Sequence, residues 1–212
     1  MISRELENYI LNIIDEEDEV LQELYRQTNL KAINPQMTTG PLQGNLLTML
    51  GKLIKPNHVL EIGTYTGYSA ICLAKSLQPG GQLYTIEIND ELKEFSAYYF
   101  KKAGMIDRIT QLTGDALKII PTLDQEFDLV FMDADKRQYI DYYHLIFSKV
   151  RIGGYILVDN VLWGGKVMAP SDKDPFAKAL KEFNELVKID KRINKSLLPV
   201  RDGLMILNKI RH

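Results

Sequence analysis

The sequence contains a single cysteine among its 212 residues, Cys72. An internal disulfide therefore cannot form, and this low cysteine content fits a reducing compartment. Cys72 lies in the apolar stretch Ser69–Ala74, so we interpret it as a core residue. No apolar run approaches the ~20 residues that span a bilayer. The segment Met1–Glu7 also lacks an apolar signal core, and we expect a cytoplasmic protein with no membrane partner.

Histidine is also scarce. The three histidines, His58, His144 and His212, have no other candidate ligands or catalytic partners around them in the sequence. Histidine is a frequent ligand of catalytic zinc and the most frequent general base. Its distribution here disfavours a zinc enzyme and disfavours histidine-based catalysis.

The composition is otherwise that of an ordinary globular protein, with 45% hydrophobic and 25% charged residues. No repeat, low-complexity tract or linker divides the chain, so residues 1–212 are predicted to form one domain. The net charge of −2 is unevenly spread: residues 1–30 hold eight acidic and two basic residues, whereas residues 166–212 hold eleven basic and six acidic residues. The basic part is compatible with contact to a phosphate backbone or with an ordinary solvated helix face.

Hydrophobic periodicity predicts alternating strands and helices after residue 55. The predicted strands are 58–62, 82–88, 109–113, 127–132 and 155–158, and the predicted helices are 2–13, 18–30, 41–54, one from about 69, one from 89 or 90 to 104, 116–120, 138–149 and one from 175. Repeated alternation predicts a parallel sheet covered on both faces. Residues 196–200 and 204–208 flank a tight turn, which predicts an antiparallel pair at one edge.

Two of the predicted strands end abruptly in oxygen-bearing side chains. Asp133 follows the strand Phe127–Met132, and Asp159 and Asn160 follow Tyr155–Val158. Ligands of such sheets bind at the carboxyl ends of the strands, and an unpaired carboxylate there would cost several kcal/mol to bury. Neighbouring strand ends would direct three oxygen ligands to one point, which suits a hard divalent cation. We expect Mg²⁺, with Mn²⁺ or Ca²⁺ as alternatives.

The turn that follows the first strand runs from Glu61 to Ser69. Tyr65 stands where a dinucleotide site needs its second glycine, and no Gly-Lys-Ser/Thr follows, so a dinucleotide is disfavoured and a P-loop is excluded. A nucleoside without phosphates remains. Glu87 ends the second strand, where a carboxylate can accept both ribose hydroxyls, and Asp115 is placed to frame an adenine. Taken singly, Glu61 and Ser69 are better explained as a strand-end charge and a helix N-cap than as cofactor contacts.

These motifs resemble class I S-adenosylmethionine-dependent O-methyltransferases of the divalent-cation-dependent branch. That branch includes catechol O-methyltransferase, the caffeoyl-CoA O-methyltransferases and small bacterial relatives. The matching segments are Met37–Thr39, Val59–Gly63, Gly67–Ser69, Tyr84–Glu87, Gly114–Ala116, Val130–Lys136 and Val158–Leu162. The glycine turn is shared by many methyltransferases, whereas Asp-Ala-Asp-Lys followed by Val-Asp-Asn is specific to this branch.

The resemblance covers about residues 35–208 and implies both a fold and a set of site residues. The implied fold is a Rossmann-like α/β fold, with a mostly parallel seven-stranded sheet, an antiparallel C-terminal edge hairpin and helices on both faces. Residues 1–55 would cap the cofactor and substrate site. The implied cofactor contacts are Met37, Thr39, Glu61, Gly63, Ser69, Glu87, Asp115, Ala116 and Asp133; the implied metal ligands are Asp133, Asp159 and Asn160; and the implied catalytic base is Lys136.

The expected reaction is metal-dependent methyl transfer from S-adenosylmethionine to a hydroxyl of a small, catechol-like acceptor. A phenolic hydroxyl has a pKa near ~10, and a bound cation would lower it so that Lys136 can take the proton. Two alternatives stay open: the same chemistry on a 5-hydroxyuridine of tRNA, motivated by the basic C-terminal part, and a cofactor-binding protein without turnover. The resemblance and the amphipathic N-terminal helices also suggest a homodimer. Trp163 either lines the acceptor site or anchors its loop, and Asp135 and Tyr139 receive no role.

Overall fold

Within residues 3–212, which the computed structural model describes, seven strands form one sheet. The strands are β1 (His58–Ile62), β2 (Gln82–Glu87), β3 (Ile109–Thr113), β4 (Phe127–Met132), β5 (Val150–Val158), β6 (Ile193–Leu198) and β7 (Leu204–Lys209). Their order is β3-β2-β1-β4-β5-β7-β6. The first five are parallel, and β7 is antiparallel to both β5 and β6. The predicted fold class is therefore confirmed.

Helices cover both faces of this sheet. They are α1 (Arg4–Leu11), α2 (Glu19–Lys31), α3 (Gly40–Ile54), α4 (Tyr68–Ala74), α5 (Lys93–Lys102), α6 (Ala116–Ile119), α7 (Tyr139–Phe147) and α8 (Pro175–Ile189). Helices α2–α5 pack on one face and α6–α8 on the other. Among the described residues, no helix has the length and apolar character needed to cross a membrane.

Side-chain alternation along the central strands supplies the two cores. On β4, Val130 and Met132 face the core of α6–α8, whereas Leu129 and Phe131 face the core of α2–α5. This period of two is what an extended strand buried on both faces requires. Cys72 is buried in the second core, as expected.

Most predicted boundaries agree with the structure to within two or three residues, but the start of β5 does not. The strand begins at Val150. The sequence instead predicted that Gly153 and Gly154 stop the preceding helix and that the strand begins only at Tyr155. Pairing with β4 shifts register at this point, and Gly153 has φ +82°. The glycines thus accommodate a β-bulge within the strand.

Two other boundaries differ from the sequence prediction. The strand predicted at 196–200 spans Ile193–Leu198, because it pairs along the whole of β7. Helix α1 spans Arg4–Leu11, and residue 2 of the predicted helix 2–13 lies outside the described residues.

Candidate active site

The polar residues that follow the parallel strands are aligned by the sheet itself. At four positions the backbone hydrogen-bond ladder continues into the loops. These bonds run from Gly114 N to Glu87 O (2.8 Å), from Gly63 N to Ile86 O (2.9 Å), from Asp133 N to Ile62 O (2.9 Å) and from Asp159 N to Met132 O (3.0 Å). The residues predicted to form the site therefore lie in a row along the carboxyl edge of β3, β2, β1, β4 and β5.

Gly63 is where the turn after β1 meets the loop after β4. Its φ is +101°, and a Cβ built on it would lie 2.1 Å from the backbone oxygen of Asp133. Only glycine tolerates both the left-handed backbone and this approach. Gly63 thus joins the predicted cofactor turn to the loop that begins at Asp133, a predicted metal ligand.

The Glu87 carboxylate is held against this turn by backbone amides. Its Oε2 accepts from Tyr65 N at 2.7 Å, and its Oε1 accepts from Asn89 N at 3.0 Å. Tyr65 has φ +49°, an uncommon value for a side chain of this size. Since each carboxylate oxygen has about two acceptor positions, both oxygens can still accept a hydrogen bond from a ligand hydroxyl.

Glu61 is fully buried in β1. The hydroxyl of Thr85 donates to its Oε2 at 2.5 Å, and among the described residues its Oε1 has no hydrogen-bond partner. Burial raises the pKa of Glu61 to about 8. An unpaired buried acceptor is costly, so this carboxyl is suited to receive a donor or a cation from a ligand.

The remaining predicted cofactor residues occupy less distinctive positions. Ser69 is buried in α4 but is not its N-cap, because the helix begins at Tyr68 after Gly67. Asp115 is an N-cap: its Oδ1 accepts from Leu117 N at 2.9 Å. Ala116 is buried beside it. Asp115 therefore already has a local structural role at the end of β3.

The segment Asn34–Gln43, which we call the N-terminal strap, comprises part of the connection from α2 and the first turn of α3, and it contains Met37 and Thr39. Met37 is 54% exposed, whereas Thr39 is buried. The hydroxyl of Tyr65 donates to Asn34 O at 3.0 Å, which ties the strap to the turn after β1. The strap is thus fastened beside the Glu87 and Gly63 positions.

The loops after β4 and β5 bring the predicted metal ligands together. Lys136 Nζ donates to Asp133 Oδ1 at 2.7 Å, with the two side chains only 15% and 16% exposed. Asp159 is 3% exposed, and its Oδ1 accepts from Asn160 N at 2.8 Å. Burial, reinforced by the negative charge of Asp133, raises the pKa of Asp159 to about 7. The two carboxylates are therefore close enough to repel each other.

This donor set fits a hard cation. Within residues 3–212, no group of three histidines, cysteines or carboxylates is disposed to hold a metal, so the candidate set needs the amide of Asn160 as its third oxygen. Asn160 has φ +61°, a backbone conformation that asparagine tolerates better than most residues. Two carboxylates and an amide would leave positions for water or a substrate on Mg²⁺, whose charge would relieve the repulsion.

Comparison with known proteins identifies the family. A family profile described as O-methyltransferase matches residues 12–210. The chain belongs to the O-methyltransferase family. A caffeoyl-CoA O-methyltransferase of Stellaria longipes is 33% identical, covering 98% of this chain and 91% of that protein, and one of Eucalyptus gunnii is 36% identical, covering 97% and 87%.

Solved structures give the same result for this O-methyltransferase. The crystal structure of TomG from Streptomyces achromogenes, an O-methyltransferase in complex with S-adenosylmethionine, has a TM-score of 0.91, 31% identity and coverage of 99% and 100%. An O-methyltransferase of Bacillus cereus in complex with S-adenosylhomocysteine has a TM-score of 0.89, 28% identity and coverage of 97% of each chain. The predicted S-adenosylmethionine-dependent O-methyltransferase of the caffeoyl-CoA type is confirmed at the level of family and enzyme class.

Sequence reasoning on this O-methyltransferase left Tyr139 and Asp135 without a role. Tyr139 is fully buried, and its hydroxyl donates to the backbone oxygen of Asp159 at 3.1 Å. Burial raises the pKa of Tyr139 well above its ordinary value, and the negative charges of Asp133 and Asp159 add to this effect. Asp135 accepts from the Arg137 guanidinium, with Oδ1 2.9 Å from Nε. Tyr139 thus links α7 to the end of β5, whereas the Asp135 contact stabilises the loop after β4. The apolar sequence around Tyr139 does not indicate this role.

Trp163 makes the contacts of a loop anchor. Its Nε1 donates to Asp174 Oδ2 at 3.3 Å, and its ring centroid lies 5.7 Å from that of Phe176 at the start of α8. Lys166 adds an ion pair to Asp174 at 3.4 Å. The loop after β5 is thereby fixed to α8 a few residues beyond Asn160.

Proposed function

We propose that this O-methyltransferase uses a divalent cation to methylate a hydroxyl of a small acceptor that carries two neighbouring oxygens. The observation that carries the proposal is the pair formed by Asp133 and Asp159, two adjacent carboxylates of which the second is almost fully buried. Such a pair is unfavourable unless a cation compensates it. Lys136 Nζ lies 2.7 Å from Asp133 Oδ1, whereas Asp159 forms no salt bridge among the described residues, and Gln43 and the charge of Arg201 only partly offset the effect of its burial.

The cation would be held by Asp133, Asp159 and Asn160. When bound, it supplies Lewis acidity and open positions for two vicinal oxygens of the acceptor. Asp133 holds Lys136 Nζ at the edge of the donor set, where the amine, after losing its own proton to solvent, would take the proton of the reacting hydroxyl. The new bond joins the acceptor oxygen to the methyl carbon as the sulfur–methyl bond breaks, and the sulfur leaves with the bond's electron pair as neutral S-adenosylhomocysteine.

The other half of the cleft suits S-adenosylmethionine. Glu87 retains acceptor positions for the ribose hydroxyls, and the unpartnered Oε1 of buried Glu61 can receive a donor of the cofactor's amino-acid end. Gly63 allows the turn after β1 to pack directly against the backbone of Asp133, which places the proposed cofactor turn next to the proposed metal ligands. The methyl donor and the acceptor oxygen would then meet at the junction of the two loops.

The alternative acceptor, a hydroxylated uridine of tRNA, rests on the basic C-terminal part. Several of those cations have internal partners. Lys209 is buried and donates to backbone oxygens at 2.9 and 2.7 Å, Lys195 donates to three backbone oxygens around the end of α8, and Arg192 pairs with Asp190. Charge used internally is less available to phosphates, which favours the small acceptor.

A radiolabelled methyl-transfer assay tests both acceptors. The chain is incubated with labelled S-adenosylmethionine and either a catechol panel or hypomodified tRNA, with Mg²⁺ or with EDTA. We expect label on a catechol, its loss in EDTA and its return with excess Mg²⁺. Label on tRNA that falls steeply with salt would establish the alternative acceptor. Turnover insensitive to EDTA would overturn the metal assignment, and cofactor binding without label on any acceptor would indicate a binding protein.

The homodimer expected from the sequence also stays a prediction. The candidate dimer surface is an apolar hollow of about 270 Å³ between α3 and the β5–β7 part of the sheet. It is lined by Leu50, Leu53, Ile54, Tyr155, Leu157 and Ile206. Leu53 is 73% exposed there. Sedimentation equilibrium of the chain and of Leu53→Asp would test it, and a monomer at all concentrations would refute it.

A further inference from the structure

The turn between β6 and β7, Val200–Gly203, contacts both halves of the site at once. We call it the C-terminal turn. On one side Arg201 Nη1 donates to Thr38 O at 3.0 Å, to Thr39 O and to Gln43 Oε1 at 3.3 Å. All three acceptors belong to the N-terminal strap. One guanidinium therefore fastens the strap at residues other than the one that Tyr65 holds.

The other side of the C-terminal turn holds the loop that follows Asn160. Asp202 Oδ1 accepts from Gly164 N at 3.0 Å, and the backbone oxygens of Asp202 and Gly203 accept from Leu162 N at 2.8 Å and from Val161 N at 3.2 Å. We call Val161–Gly164 the metal loop. A Cβ on Gly203 would lie 2.5 Å from Leu162 Cγ, so this contact is close-packed.

The backbone of the C-terminal turn gives a second reason to single out Arg201. Its φ is +49°, a left-handed conformation that disfavours residues with a Cβ. Glycine would adopt it without strain. The strained backbone is consistent with a side chain that is needed at this position.

We propose that Arg201 is a positioning residue that couples the N-terminal strap to the metal loop through the C-terminal turn. Arg201 and Asp202 are adjacent in a four-residue turn, which is closed by a hydrogen bond from Gly203 N to Val200 O (2.9 Å). The two residues therefore cannot move independently. Fixing the metal loop therefore fixes the turn and holds the strap. The inference rests on the proposed function, in which the strap covers the cofactor and the metal loop follows the cation ligands.

Coupling of this kind has a reciprocal consequence for binding. If Mg²⁺ orders the metal loop, it increases the affinity for S-adenosylhomocysteine, and the cofactor product increases the affinity for Mg²⁺ by the same factor. A residue with a merely structural role would change affinity equally with and without Mg²⁺. Arg201 is expected to change the factor itself.

The test compares Arg201→Gly, Arg201→Lys and the control Arg211→Ala in the full chain. Arg211 also donates to a backbone oxygen, that of Lys191, at 2.9 and 2.6 Å. Lys191 belongs neither to the N-terminal strap nor to the C-terminal turn. Calorimetry measures S-adenosylhomocysteine affinity with Mg²⁺ and with EDTA. We expect wild type to bind more tightly with Mg²⁺, and Arg201→Gly to lose about tenfold with Mg²⁺ and to lose the Mg²⁺ effect.

The two other variants define the limits of that result. Arg201→Lys retains the charge but not the planar fork, so an intermediate loss is expected, and Arg211→Ala should match wild type. The proposal is overturned if Mg²⁺ does not affect wild-type affinity, or if Arg201→Gly lowers affinity equally in both conditions. Should Arg201→Gly fail to fold, Arg201→Lys carries the comparison.

Hydrogen exchange on the protein without ligands separates this inference from the proposed function. In Arg201→Gly, amides of both the N-terminal strap and the metal loop should exchange faster, while those of β1 stay protected. Faster exchange in the strap alone would refute the coupling. This readout requires no methyl transfer, so an inactive protein with coupled exchange would overturn the proposed function but not the coupling.

Discussion

The two halves of the cleft satisfy their carboxylates in different ways. In the half formed by the ends of β1 and β2, Glu87 accepts two backbone amides and Glu61 accepts a threonine hydroxyl. In the half formed by β4 and β5, the charge of Asp133 acts on the buried Asp159, and Lys136 contacts Asp133. Neutral donors hold the first pair of acids, whereas the positive charge of Lys136 and Arg201 near the second pair does not offset the burial of Asp159, whose pKa stays raised.

This difference indicates what each half is built to receive. A carboxylate held by amides and a hydroxyl presents acceptors to an uncharged donor such as a ribose hydroxyl. Two adjacent carboxylates, one almost fully buried, favour a cation. Changing one acid at a time is therefore expected to affect cation-dependent turnover in the second half and cofactor affinity in the first.

The largest effect is expected from removing the charge of Asp159. Asp159→Asn should abolish turnover, while the S-adenosylhomocysteine affinity measured in chelator is nearly kept. In chelator it should also raise the thermal midpoint, because an uncompensated buried charge is lost. Calorimetry and thermal unfolding measure these changes, with Asp172→Asn as the exposed control. Retained turnover, or a lowered midpoint in chelator, would break the proposed contrast between the halves.

Removal of the Lys136 amine should have the next largest effect. We expect Lys136→Met to lower kcat by roughly 10²–10⁴-fold, the usual contribution of a positioned base, with KM little changed. Arginine should not restore activity because its guanidinium stays protonated. Steady-state kinetics against pH checks this: activity of Lys136→Met should recover partly at high pH, where the acceptor ionises unaided. Lys188→Met, at an exposed ion pair, is the control.

On the cofactor side, Glu87→Ala should weaken S-adenosylhomocysteine binding by about 1–3 kcal/mol, the cost of lost charge-assisted hydrogen bonds. Its Mg²⁺ response should stay as in wild type, since the change lies in the other half. Calorimetry measures both quantities, and Glu91→Ala, an exposed neighbour, serves as the control. Unchanged affinity would remove Glu87 from the cofactor site.

The smallest effect concerns the pH dependence of stability. Folding raises the pKa of Glu61 from 4.5 to about 8, so the folded chain binds a proton that the unfolded chain releases. This contribution is complete below pH 4.5 and is lost as the pH rises towards 8. We expect the thermal midpoint of the ligand-free protein to fall over this range, and to fall less in Glu61→Gln.

Asp159 contributes to the same trend, because its pKa is raised to about 7 for the same main reason. The double variant with Asp159→Asn should therefore show the flattest profile between pH 5 and 8. An unchanged slope in Glu61→Gln would mean that Glu61 is ionised in the folded protein. Circular dichroism melts at constant ionic strength provide the measurement.

The features that the sequence predicted are those encoded locally. Strand periodicity placed Asp133 and Asp159 at two strand ends, and the ladder bonds of the structure align them. Asp133 and Asp159 come near each other because β4 lies beside β5. The alternation of strands and helices was sufficient to suggest this strand order. The bulge that lengthens β5 escaped prediction because Gly153 and Gly154 signal a break in either element.

Contacts between distant segments had no sequence signal. Arg201 and Thr38 are 163 positions apart, and nothing in the spacing of either segment marks the partner. The same holds for Tyr139, whose hydroxyl reaches the backbone of Asp159 although its sequence context is that of an ordinary core helix. Hydrophobic periodicity predicts which face of a helix or strand is buried, but it does not predict which loop that face contacts.

The ladder bonds at the carboxyl edge have a consequence for how such an enzyme can diversify. Because Asp133 N and Asp159 N are still paired to the neighbouring strand, the sheet and not the loop fixes where each carboxylate begins. Segments farther along, such as 167–172, can then be exchanged or lengthened while the proposed metal ligands keep their positions. Acceptor preference can change by loop replacement, with the reaction chemistry inherited intact.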